Sequence, residues 1–140
     1  MVKASPVLSS RIPKILGGVI LAEAVTFAIA SVLHFGVLER FIAAAIPEAI
    51  IAVVLAVGAI AVTRRPAGSW WLALTSTLFA LAGVIIGLTV ILSGRVSRPA
   101  DVAYHTSIFV ALVITVVVLV TPEVRRVLRK PPPLPSPRKR

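Results

Sequence analysis

Four apolar stretches, each close to the length a helix needs to cross a bilayer, govern what this chain can fold into. A crossing takes about 20 helical residues at about 1.5 Å of rise each. The stretches cover residues 15–34, 46–62, 70–93 and 102–120. The second is slightly short and the third carries no charge at all. The fourth is rich in β-branched residues, and in water 113–120 would read as a strand. In lipid each segment must satisfy its own backbone N–H and C=O groups, so a helix is the expected form. Of 140 residues, 58% are hydrophobic and only 14% charged, against about 25% charged in soluble domains. That composition excludes a soluble enzyme, a disordered chain and a nucleic-acid-binding globule. The absence of cysteine excludes disulfides and thiolate metal sites.

The charges set an expected orientation. Lys3, Arg11 and Lys14 precede the first span, Arg64 and Arg65 separate the second from the third, and Arg125, Arg126, Arg129, Lys130, Arg138, Lys139 and Arg140 follow the fourth. Twelve of the 15 basic residues therefore fall on one side of the membrane. Arg40, Arg95 and Arg98 fall on the other, offset by Glu39, Glu48 and Asp101. The positive-inside rule places both termini in the cytoplasm. The net charge of +10 then faces anionic lipid at the cytoplasmic surface and not nucleic acid. Trp70 and Trp71 suit the cytoplasmic interface; Phe35, Phe41 and Tyr104 suit the outer one. Ala28-Ile29-Ala30 follows a basic segment like a signal-peptidase site, but Glu23 interrupts the apolar stretch, which also continues past Ala30. Cleavage there would leave three spans and an outer N-terminus.

Short connections make successive helices antiparallel neighbours, so the expected fold is all-α, four transmembrane helices in an up-down-up-down bundle. Pro66 and Gly68 break the chain between spans two and three. The segment 35–45 reads as a partly helical interfacial piece, with Phe41, Ile42 and Ile46 facing the membrane. After the fourth span, Thr121-Pro122-Glu123 resembles a helix restart, and 124–130 can form a short basic interfacial helix. The membrane domain is thus expected over 1–130. The proline-rich run from Pro131 to Pro137 forces an extended form, so 131–140 is expected to be a disordered basic tail.

Helices in lipid associate through small residues. Span three carries Ala73, Ser76, Ala80, Gly83 and Gly87 on one narrow face, the last two forming a GxxxG. This face is expected to pack within the bundle, against a partner such as the Ala49, Ala52, Ala56 and Ala59 row of span two. Dimerisation is the alternative. Thr75, Thr77 and Thr89 can bond their own helix's carbonyls.

Ionisable groups inside a membrane are costly and therefore candidates for function. Glu23 lies near the middle of span one and shares a helix face with Phe27, Ala30 and His34. It is a candidate proton or ligand carboxyl; an internal bond to a threonine of span three or four is its packing account. A second group gathers at the outer ends of the helices: His34, Glu48, Asp101 and His105. His34 and His105 are candidate metal ligands, or paired axial ligands of a haem. The packing account makes Glu48 and Asp101 first-turn acids favoured by the helix dipole, with both histidines reaching interfacial water. Neither HExxH nor the ExxH pairs of di-iron bundles occurs, nor does a nucleophilic triad or a phosphate-binding glycine loop.

The run Leu16-Gly17-Gly18-Val19-Ile20-Leu21-Ala22-Glu23 resembles the first helix of small multidrug resistance transporters, four-helix proteins with an essential membrane glutamate. The resemblance covers about a dozen residues; it implies a proton- and substrate-coupling role for Glu23. The chain lacks that family's tyrosine- and tryptophan-bearing third helix and adds the basic tail. As a whole it looks more like small four-span membrane proteins of high-GC, actinobacteria-like bacteria. That likeness is carried by the span-one glutamate with Leu33-His34-Phe35-Gly36, by Pro47-Glu48 and by Asp101-Val102-Ala103-Tyr104-His105; it implies the fold and a bacterial plasma membrane, and no activity. The expected function is non-enzymatic: an accessory subunit of a larger membrane complex or a small binding protein, with homo-oligomerisation open. A proton-coupled transporter using Glu23 is the first alternative. A metal- or haem-binding redox protein using His34 and His105 is the second.

Overall fold

The computed structural model describes residues 6–37, 40–94 and 99–129, with side chains described from Arg11 onward. Lys3, Glu39, Arg95, Arg98 and the 131–140 tail lie outside the described residues. The chain forms α1 (Pro6–His34), α2 (Ile42–Arg64), α3 (Trp70–Leu92), α4 (Pro99–Val120) and α5 (Pro122–Arg129). The first four are each long and apolar enough to cross a membrane, and they pack in chain order as an up-down bundle. The protein is a multi-pass membrane protein. Its outward faces carry large apolar side chains such as Ile15, Ile29, Val53, Ile86 and Val117, as a lipid-facing surface requires.

Each seam between neighbours is set by small or polar residues. Between α1 and α2, Gly17 lies against the Thr63 side chain and the Ala59 carbonyl. Toward the opposite end of this seam, Ser31 donates to the Ala45 carbonyl at 2.8 Å. Between α2 and α3, Gly58 lies against Ser76 and Gly83 against Ile51. Between α3 and α4, Gly87 lies against the His105 ring, and Trp70 Nε1 donates to the Leu119 carbonyl at 2.8 Å. The small-residue face of α3 is therefore filled by α2 and α4 of the same chain, where the missing side chains let neighbours approach. The seam between α1 and α4 is different: it holds a groove of about 570 Å³, bridged at Glu23–Thr115 and by the edge-on rings of Phe27 and Tyr104, 6.4 Å apart.

Two helix starts differ from the sequence expectation: α1 begins at Pro6 and not at 15, and α2 begins before 46. Helix α2 begins at Ile42 and runs through Pro47, so residues 42–45, the last part of the expected interfacial piece, are the first turn of the span. Glu48 consequently sits beyond the first turn, where the helix dipole gives it little. Before α2, Phe35 and Arg40 pair as a single antiparallel bridge, and Phe41 N–H bonds the His34 carbonyl at 2.8 Å. At the far end α5 folds back on the bundle. Its Val124 and Leu128 are buried, its Arg125 and Arg126 exposed, and the Leu128 carbonyl accepts the Gly68 N–H at 2.7 Å.

Candidate functional site

Two polar positions stand out against the apolar interior. The first is Glu23 on α1, 5% exposed. Its Oε1 accepts the Thr115 hydroxyl of α4 at 2.7 Å, whereas Oε2 is buried without a partner among the described residues. Thr26, Thr63, Thr75, Thr77 and Thr89 all return to carbonyls of their own helices. Thr115 instead reaches across the seam, so this hydroxyl is committed to the carboxyl. Glu23 and Thr115 line the α1–α4 groove together with Thr26, Ser107 and Tyr104. Tyr104 is drawn inward against Phe27 and does not serve as an interfacial belt residue; its hydroxyl is buried and has no partner among the described residues.

The second position is a cavity of about 220 Å³ near the α1–α2 connection. Four helices contribute to it, and it gathers all four residues of the outer polar group: His34, Glu48, Asp101 and His105. His34 Nδ1–H donates to Glu48 Oε2 at 2.7 Å. Glu48, from the buried face of α2, is 5% exposed, and its Oε1 has no partner among the described residues. His105 Nδ1–H donates to the Asp101 carbonyl one turn earlier at 2.9 Å. That bond fixes the proton on Nδ1 and leaves Nε2 of the neutral ring as an acceptor. Nε2 faces Gly87, where a Cβ would come within 2.8 Å. The remaining walls are apolar, from Phe27, Ile51, Val84, Val90 and Ile91. Sequence reasoning reached the four polar residues because orientation put them on one side. It missed Gly83 and Gly87 as cavity walls, since a GxxxG reads first as a helix contact.

The cavity is a set of acceptors in an apolar shell. Glu48 Oε1, His105 Nε2 of the neutral ring and the Asp101 carboxylate are hydrogen-bond acceptors by type, and among the described residues no lysine or arginine lies within ion-pair distance of an acid. Among the described residues, no group of three or more His, Asp or Glu is gathered closely enough to hold a metal ion. Arg40, at the same end, is exposed.

The class of protein these features define is a small four-span membrane protein with a polar-ended cavity. No protein-family model, curated protein or solved structure matches the chain.

Proposed function

We propose that the protein is a small binding protein of the membrane that takes a hydrogen-bond-donating small molecule, of the protonated-amine class, into the cavity beside Glu48. The observation that carries this reading is Glu48 Oε1, a buried oxygen without a donor among the described residues, on the wall of an apolar cavity. A buried acceptor without a partner costs about 1–3 kcal/mol, and a ligand N–H placed there removes that cost. Apolar walls with a few convergent polar groups are the usual make-up of a small-molecule site. The asymmetry of basic residues supports both termini in the cytoplasm, so the cavity opens toward the outer face.

The test uses primary alkylammonium ions of increasing chain length, with the matching alcohols and carboxylates as controls, and follows thermal stability of the detergent-solubilised protein. Saturable stabilisation by the ammonium series is expected. In Glu48→Gln the amide oxygen keeps the His34 bond and the amide N–H₂ turns toward the cavity. An acceptor becomes a donor, and affinity should fall at least about tenfold, equivalent to roughly 1.4 kcal/mol. Equal response to ammonium and carboxylate, or no effect of Glu48→Gln, rejects the reading.

A second reading rests on a separate observation, the Oε2 of Glu23 beside the α1–α4 groove, which has no partner among the described residues. It makes Glu23 the exchangeable proton site of a small transporter. Glu23→Gln retains an oxygen for Thr115 and should leave the fold intact while abolishing proton-coupled flux in vesicles; unchanged coupled flux removes this role.

A further inference from the structure

The end of the bundle opposite the cavity carries a site of another kind. Arg129 lies over the indole of Trp70 with its guanidinium carbon 3.9 Å from the ring centroid, and 5.0 Å from that of Trp71. Arg125 approaches the Trp70 ring at 5.2 Å. The two indoles meet edge to face at 4.5 Å. Trp70 is buried and fixed by its bond to the Leu119 carbonyl; Trp71 is 62% exposed. A stacked guanidinium has its plane set in advance, and a planar donor fork recognises a phosphate through two parallel N–H···O bonds. The Arg129 Nε is buried and has no acceptor among the described residues. Around it stand Arg64, Arg65, Arg125 and Arg126, with Arg11 and Lys14 at the same end of α1, all exposed. Glu123 is the one described acid at this end.

We infer that this end binds the phosphate of an anionic phospholipid, with Arg129 and Arg125 holding the headgroup and Trp71 and Leu72 lying along its acyl chain. Charge complementarity selects an anion, and the exposed apolar flank selects one joined to a hydrocarbon. Leu72 on α3 and Val120 at the end of α4 are both exposed, at the level where an acyl chain would start. Tryptophan at an interface and a cluster of basic residues beside a span are each favourable next to anionic lipid. Here the fold joins them into one site through α5.

The chain's two tryptophans are both at this site, so intrinsic fluorescence reports on it directly. The full-length protein is reconstituted in phosphatidylcholine bilayers, and brominated phosphatidylglycerol or brominated phosphatidylcholine is added as a quencher. Brominated phosphatidylglycerol is expected to compete about fivefold better at low salt, the equivalent of one basic residue near an anionic surface, and less well as salt rises. Arg129→Gln should bring the ratio close to one, Arg129→Lys should leave it between the two, and Arg40→Gln, at the opposite end, should leave it unchanged. Equal quenching by the two lipids in the unaltered protein overturns the inference, as does an Arg129→Gln ratio matching that of Arg40→Gln. Relief of the quenching by millimolar inorganic phosphate at constant ionic strength overturns the lipid assignment in favour of a free anion. Helical circular dichroism of each variant separates loss of the site from loss of the fold.

Discussion

At the scale of single residues, the bundle depends on a few polar and small side chains whose replacement has predictable cost. Thr115→Val removes the one partner that the Glu23 carboxyl has among the described residues. Hydrogen bonds between membrane helices are worth about 1 kcal/mol, so unfolding in mixed micelles should show a loss of that order. Thr75→Val, whose hydroxyl returns to its own helix, should cost less. Gly83→Leu places a side chain where Ile51 already sits. Overpacking of that kind costs about 1–3 kcal/mol, and it should appear as lower stability of a single chain with no change in oligomeric state on size-exclusion chromatography. A shift in oligomeric state instead would assign the glycine face to contact between copies.

Among the elements, α5 is the shortest and rests on few contacts. Two apolar side chains, one backbone bond to Gly68 and the stack on Trp70 hold it. Trp70→Phe deletes the bond to Leu119 and shrinks the face under Arg129. Amide exchange across 122–129 should then accelerate, while exchange in α2 stays slow; protection of 122–129 at its original level would show that Val124 and Leu128 suffice. The sequence discloses these elements unevenly. The four spans are legible because lipid imposes length and apolarity on each one separately. The start of α2 is not legible, since Pro47 resembles a helix opening and yet is accommodated inside the helix. The outer polar group is legible as a set, because topology alone sorts its members to one end. The pairing of His34 with Glu48, and the isolation of Glu48 Oε1, depend on side-chain directions that no residue pattern records. The inward turn of Tyr104 escapes for the same reason: an aromatic near a span end reads equally well as a belt residue.

For the whole molecule, the four seams are unequal. Helix α4 has only 22% of its apolar window buried and meets α1 across the open groove, whereas α1 and α2 close tightly along their length. The ring of helices is therefore expected to open first between α1 and α4. The lack of native cysteine makes the topology directly testable with introduced thiols. Ala67→Cys, in the α2–α3 connection, should react with an impermeant maleimide only from the side that carries the termini. Val37→Cys, in the α1–α2 connection, should react only from the opposite side. Reaction of both from one side would contradict four crossings.

The bond from the Gly68 amide to the Leu128 carbonyl also has a consequence in time. At about 5–20 residues per second of synthesis, the loop between α2 and α3 exists for roughly 3–12 s before its acceptor has been made. During that interval the hairpin of α1 and α2 can already close, and α3 and α4 can enter the membrane around it, with the loop still open. The last turn of α5 then fastens a corner laid down long before it, making the order of assembly run opposite to the order of the chain at that one point.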